Sequence, residues 1–329
     1  HVVCLCGGEG AVAARLREDG IRVTDLGVSS VLHGFRAFGL RRTARWFEPD
    51  IVHSWLVHAG VLSRALLGRR FPLVCGVRVA DPRRSHLFLE RLFRGRARRY
   101  VCVTDAVCEH LTGRARVPPW KCCVIPNGVT APDDPVPDRD FTILRGLTVG
   151  RIHPQKGTDV LLKALAALPD DLDWDWTFVG AAADPRFAQQ VREQAGELGI
   201  TDRLEWRGRV PREDMDGLYR NANLFVLPSR WEGQPNALLE AMTYGLPCVA
   251  ADVDGVADLA REQPEAFLTV PSEEPDPLAA GITALFRDPE LRAHQKEAAV
   301  RLTQRHDWEE IARRYACLYA SAARDSSRQ

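Results

Sequence analysis

At 329 residues, with 45% apolar and 27% charged side chains, the chain has a globular composition and the length of two domains. Its 44 basic and 44 acidic side chains cancel, which argues against a uniformly basic nucleic-acid protein and against an acidic solvating tail. No apolar run approaches the roughly 20 residues that span a bilayer, and the nine cysteines, without CxxC knuckles or histidines at zinc spacing, read as small buried hydrophobes in a reducing cytosol. The first residue is His1, with neither Met nor a charged-then-apolar leader, which reads as a processed or incomplete start.

In chain order, short β-branched runs alternate with amphipathic stretches as far as about residue 270. Strands are expected at 2–6, 21–25, 51–53, 73–76, 100–104, 122–125, 142–149, 176–180, 204–206, 224–227 and 247–250, and helices between most of them, as at 11–19, 158–167, 187–198 and 235–244. Such alternation specifies βαβ units with parallel sheets, so the fold class is α/β. Residues 130–140, rich in Pro and Asp, break the pattern and read as a linker. The charges divide there: residues 1–140 hold 22 basic and 14 acidic side chains, and 141–329 hold 22 and 30, so a basic half faces an acidic one in the sum. Within the basic half, residues 83–99 carry seven Arg interleaved with Leu87, Phe88, Leu89, Leu92 and Phe93. That stretch suits an anionic bilayer surface, and equally a solvated helix whose Arg stems cover apolar neighbours. No nucleic-acid-reading motif accompanies it.

Three local patterns carry chemistry. Gly8, Gly10 and Ala13 fit the G-x-G-x-x-A dinucleotide fingerprint, but Asp25 follows Gly8 by only 17 residues, where that fingerprint expects about 20 or more, so a tight turn is the better reading and a nicotinamide oxidoreductase the poorer one. Aspartates at 171–175 and at 252 and 254 have DxD spacing, which serves a metal-bound diphosphate or an ordinary turn. The strongest signal is PSRWEGQPNALLEAM over 228–242. Here a strand ends, Gly233 lets backbone approach closely, and Pro235 suits the first position of a helix whose N-terminus favours an anion. Glu232 and Glu240 bracket the turn as carboxylates suited to sugar and ribose hydroxyls. The cations a phosphate needs stand in GRIHPQKG, as Arg151 and Lys156 of residues 150–157.

With TVGRIHPQKGTDVLLKAL, RLEWRGRV, ANLFVLPSRWEGQPNALLEAMTYGLPCVAADVDGV and HDWEEIARRYACLYAS, the C-terminal half resembles the nucleotide-sugar domain of retaining glycosyltransferases of the GT-B fold, family 4. The N-terminal half is similar through PDIVHSWLVHAG, VCVTDAV and VIPNGV. The resemblance implies two Rossmann-like domains facing across a cleft: an acceptor-side domain at 1–135, a donor domain at 136–305, and a helix at 306–329 packing back toward the first. It implies a hexosyl transfer, retaining and without metal, from a UDP-, GDP- or ADP-sugar to a glycan or lipid-linked acceptor in cell-surface polysaccharide or glycolipid synthesis. The implied setting is cytoplasmic, or peripheral on the inner face of the membrane. Carried over by motif, Arg151 and Lys156 neutralise the departing diphosphate and Glu232 holds sugar hydroxyls. Gly150, Gly233, Gln234, Asn236 and Ala237 cradle phosphate and sugar, Glu240 binds ribose, and Arg209 and Val210 border the base. His53, His58 and Arg78 fall on the acceptor side. Relative to the family pattern, the N-terminal domain is expected to lack its first βα unit, residues 180–184 read GAAAD in place of Gly-Asp-Gly, and Asp254 replaces a usual Gly. A non-catalytic or truncated nucleotide-sugar-binding homologue is the alternative.

Overall fold

A computed structural model describes residues 1–6, 8, 10–28, 35–68, 70–80 and 83–324. The described residues form two compact α/β units, His1–Ile125 with Arg313–Gln329, and Pro126–Ala312. The division falls at Ile125, ahead of the Pro- and Asp-rich stretch.

In the first unit, β1 (Val2–Cys4) and β2 (Val23–Asp25) pair in parallel around α1 (Ala11–Glu18). A four-stranded parallel sheet follows in simple order, β3 (Val52–Trp55), β4 (Leu73–Val77), β5 (Arg99–Cys102) and β6 (Cys122–Val124). Its helices are α2 (Phe38–Phe47), α3 (Val57–Leu67), α4 (Arg84–Phe93) and α5 (Asp105–Gly113). The turn after β1 is explained by Asp25, whose two carboxylate oxygens accept from Gly8 N at 2.7 Å and Gly27 N at 2.8 Å. Those amides hold its carboxyl below the ordinary carboxylate range. Asp25 is thereby spent on the turn rather than left for a ribose; Glu9, within the fingerprint, lies outside the described residues. Beneath α3, the buried Arg64 forks onto Glu90 with two 2.6 Å bonds and donates to the Tyr100 hydroxyl at 2.7 Å, a bidentate arrangement that offsets the cost of burying both charges.

The second unit holds a six-stranded parallel sheet in the order β12-β11-β10-β7-β8-β9. The strands are β7 (Leu144–Val149), β8 (Trp174–Val179), β9 (Leu204–Gly208), β10 (Leu224–Leu227), β11 (Cys248–Ala251) and β12 (Leu268–Val270). The connecting helices α6 (Thr158–Ala166), α7 (Pro185–Glu197), α8 (Met215–Asn221), α9 (Asn236–Thr243), α10 (Asp254–Glu262), α11 (Pro275–Arg287) and α12 (Pro289–Arg305) cover both faces, and α13 (Trp308–Arg324) closes the chain. Strands buried on both faces read as continuous apolar runs, as LFVL of β10 does, fully buried throughout. In this doubly wound order the chain reverses direction between β7 and β10, and loops at the carboxyl ends of those two strands border a crevice.

Two sequence expectations are corrected. The cysteines all carry free thiols, but only Cys75, Cys102 and Cys248 are buried, and Cys6 and Cys317 are exposed. Residues 130–140 are stitched to the second unit rather than left as a bare linker. Arg139 donates to the carbonyls of Tyr219, Arg220 and Ala222 at the end of α8 and of Tyr244 at the end of α9. A guanidinium there satisfies terminal carbonyls and the helix dipoles together.

Candidate functional site

At the reversal of the second sheet, the loop after β7 and the loop after β10 lie backbone to backbone. Gly157, at φ +62°, faces the Pro228 carbonyl so closely that a Cβ would overlap it. Gly180 packs equally against the Gly150 carbonyl, and Gly255 against that of Gly233. Glycine is needed at these positions because no side chain fits between the loops.

The packing brings Lys156 and Glu232 together, Nζ to Oε1 at 2.5 Å, with side chains 19% and 7% exposed. The Ser229 hydroxyl donates to the same Glu232 oxygen at 2.7 Å. The stem of Lys156 runs alongside Gly150. Arg151 is exposed and touches Gln155 at 3.3 Å; Gln155 in turn donates to the Trp231 carbonyl at 3.0 Å. Arg230 locks the loops: its backbone N–H donates to Gln155 O at 2.8 Å, and its guanidinium reaches Asp159 at 2.8 and 2.9 Å, Pro154 O at 2.6 Å and Glu273 at 2.7 Å. The Asp159 bonds hold its guanidinium above the ordinary pKa.

The other expected donor residues divide. Pro235 caps α9 rather than opening it, and the helix begins at Asn236. Gln234 is turned inward, its Oε1 accepting from Asn127 N at 2.5 Å and its Nε2 lying 3.3 Å from His306 Nδ1. Asn236 accepts from Asn127 Nδ2 at 2.6 Å. Both side chains therefore brace the N-terminus of α9, and Gly233 and Ala237 carry the backbone around it. Glu240 accepts from the Tyr219 hydroxyl at 3.0 Å. Burial, with Glu240 beside it, pushes the Tyr219 phenol well up, so it stays a donor. No direct contact joins Glu240 to Lys156 among the described residues; Lys156 lies in the loop after β7 and Glu240 within α9. Arg209 is exposed just past β9, and Val210 packs against the core that includes Tyr219.

On the acceptor side, His53 on β3 and Arg78 after β4 belong to one cluster in the first unit. His53 Nδ1 lies 2.7 Å from the Tyr319 hydroxyl, its ring is 4.2 Å from that of Trp55, and Arg78 sits over Trp55 at 5.1 Å. Burial, then Arg78, pulls the His53 pKa down to about 4, so the imidazole is neutral. Its Nε2 is buried against Gly76 and unpartnered. His58 stands apart, exposed on α3 with its ring 5.2 Å from that of His86. Sequence reasoning missed Ser229, Arg230, Tyr219, Tyr315 and Tyr319. The first two were legible only as neighbours of Glu232, and the tyrosines carry no local signal.

A family model described as Glycosyl transferases group 1 matches residues 142–301, and one described as Glycosyltransferase Family 4 matches residues 1–131. The chain belongs to this GT-B glycosyltransferase family, group 1/family 4. It is 32% identical over 180 residues to the lipopolysaccharide core biosynthesis mannosyltransferase LpsB of Rhizobium meliloti, covering 53% of this chain and 51% of that protein. It is 28% identical over 319 residues to the D-inositol 3-phosphate glycosyltransferase of Thermobispora bispora, covering 86% and 74%. The chain thus spans about half of LpsB, and 42% and 40% of two further D-inositol 3-phosphate glycosyltransferases, from Corynebacterium glutamicum and Streptomyces bingchenggensis. In fold it is similar to Anabaena Alr3699/HepE in complex with UDP and glucose, with a TM-score of 0.84, 21% identity and coverage of 97% of this chain and 91% of that one.

Proposed function

We propose that the chain is a retaining hexosyltransferase that moves a sugar from a UDP-, GDP- or ADP-sugar to a glycan or lipid-linked acceptor, on the cytoplasmic side, in cell-surface polysaccharide or glycolipid assembly. The observation that carries this reading is the Lys156–Glu232–Ser229 cluster at the sheet's reversal, beside the exposed Arg151. A diphosphate entering there takes Lys156 and Arg151 as counter-charges, leaving Glu232, still held by Ser229, to accept from sugar hydroxyls. As the bond from the anomeric carbon to the diphosphate breaks and the acceptor oxygen replaces it on the same face, negative charge collects on the leaving group. Preoriented cations are worth most at that moment. In this reading those two cations do the work without a metal. The names of LpsB and its relatives, and the UDP and glucose bound to HepE, agree with the substrate class.

The test is a panel of UDP-, GDP- and ADP-sugars read by thermal shift and by turnover with EDTA present. One donor is expected to raise the melting temperature, and Lys156→Ala or Glu240→Ala to remove the rise. Failure of every donor to bind overturns the reading, and binding without turnover on any acceptor reduces it to a nucleotide-sugar-binding homologue.

A further inference from the structure

Behind the turn that leads into α9, side chains from distant parts of the second unit form a line of hydrogen bonds. The turn has no cap of its own, because Pro235 at the N-cap offers no side-chain hydrogen bond. It is held through Gln234, whose Oε1 accepts from Asn127 N at 2.5 Å. Gln234 Nε2 lies 3.3 Å from His306 Nδ1, and His306 Nε2 lies 3.2 Å from Glu262 Oε2. His306 follows α12 directly and is 2% exposed. Its backbone is pinned, the N–H donating to Thr303 O at 3.0 Å and the carbonyl accepting from Val129 N at 2.8 Å. Glu262 is the last residue of α10, and Gly255, the second, packs on the Gly233 carbonyl. The helix α10 therefore reaches the turn from both ends, directly at Gly255 and through His306 at Glu262.

These partners decide which ring nitrogen carries the proton. An ionised carboxylate only accepts, and the bond from His306, with Arg305 adding to it, holds the Glu262 carboxyl below the ordinary range, so Nε2 bears the hydrogen. The Asn127 N–H fixes Oε1 of Gln234 and thereby turns its NH2 group toward His306. In the neutral ring Nδ1 keeps its lone pair and accepts from that group. We propose that Glu262 and His306 are a positioning pair for the donor turn: through this one tautomer they fix the Gln234 amide, and with it the backbone from Gly233 to Ala237 that holds the diphosphate. The inference rests on the proposed transfer and adds to it two residues that touch no substrate. Asn127 O, also 3.3 Å from Nδ1, is the competing partner. A ring carrying hydrogen on Nδ1 would donate there and set N–H against N–H at Gln234, so the tautomer is what ties the turn to α10.

Calorimetric binding of UDP, GDP and ADP to the full chain tests the pair, together with long-range proton–nitrogen correlation spectra of the histidine rings. The wild type is expected to bind at least one of the three and to show His306 with hydrogen on Nε2 and none on Nδ1. His306→Phe, which keeps the bulk and loses both nitrogens, should weaken that diphosphate by about three- to tenfold, the scale of one hydrogen bond. His306→Asn, whose Oδ1 can replace Nδ1 as acceptor, should recover part of the loss. Glu262→Met should weaken binding comparably and leave His306 a mixture of tautomers; it carries the test alone if His306→Phe does not fold. Ile282→Val, which thins the other core cluster, should lower the melting temperature and leave affinity unchanged, separating positioning from plain stability. The inference is overturned if His306→Phe and Glu262→Met bind the diphosphate like wild type, or if the spectra place the hydrogen on Nδ1. A wild type that binds none of the three overturns the transferase reading and this inference with it, whereas unaffected variants of a binding wild type overturn the inference alone.

Discussion

Lys156 and Glu232 neutralise each other in the resting loop, so each has two duties that mutation can separate. Removing the lysine leaves a largely buried carboxylate with Ser229 as its remaining partner. Lys156→Met is expected to cost about 1–3 kcal/mol, less than a fully buried pair because Ser229 stays. Lys156→Met/Glu232→Gln should recover most of that in urea unfolding, yet neither variant should turn over a nucleotide sugar. If the double variant regains activity, the pair is only a strut. His53 offers a second test at the same scale. Its folded pKa of about 4 lies below the ordinary histidine value, so the unfolded chain takes up a proton first as pH falls. The stability from keeping the ring neutral is therefore whole above pH 6.5 and drains away toward pH 4. Between pH 7 and pH 5 the loss attributable to this residue is about 2 kcal/mol. Arg78, Tyr315 and Tyr319 are the ionisable groups around it, and none of them titrates in that window. Unfolding of His53→Gln at the two pH values should show a slope flatter by that amount.

The loops at the carboxyl edge work as stacked backbones, and the glycines between them decide what substitutions they accept. Gly255, the second residue of α10, lies directly against the Gly233 carbonyl. Gly255→Ala should push residues 232–233 outward, lowering stability by about 1–3 kcal/mol and weakening the donor-induced thermal shift. Gly217, inside α8 with open space where a Cβ would stand, should respond in the opposite sense: Gly217→Ala is expected to stabilise by about 0.5–1 kcal/mol. These glycines also mark where sequence legibility stops. The strands of the second sheet were readable because a strand buried on both faces is a continuous apolar run, and LFVL admits no other reading. The three-residue β12 has too few residues to show a period, and it escaped. Lys156 and Glu232 could be picked out as candidates because charge beside glycine at a strand end has few structural uses, and the fold brings these two into contact. The inward turn of Gln234 was not readable, since its partners Asn127 and His306 are 107 and 72 residues away.

The equality of basic and acidic side chains gives way, at the scale of the whole chain, to a division that the two units share unequally. Residues 1–140 carry a surplus of eight positive charges, and the exposed aromatics concentrate in the same part. The second unit is continuous in sequence, and both of its core clusters draw only on residues 129–302. The first unit is discontinuous: Tyr315 and Tyr319 of α13 supply part of the packing around His53 and Trp55. These facts predict an asymmetric response to truncation. A fragment of residues 126–312 should fold cooperatively by itself and show the same nucleotide-sugar thermal shift as the full chain, because every residue assigned to the donor lies inside it. A chain ending at residue 312 loses the tyrosines but no part of that donor site. Calorimetry should then show the first unit melting a few degrees lower, about 2–4 °C for each kcal/mol removed at this domain size. The donor-sensitive transition should stay where it was. A truncated chain in which both transitions fall together would mean that α13 supports the two units alike, and that the packing around His53 is not its main contribution.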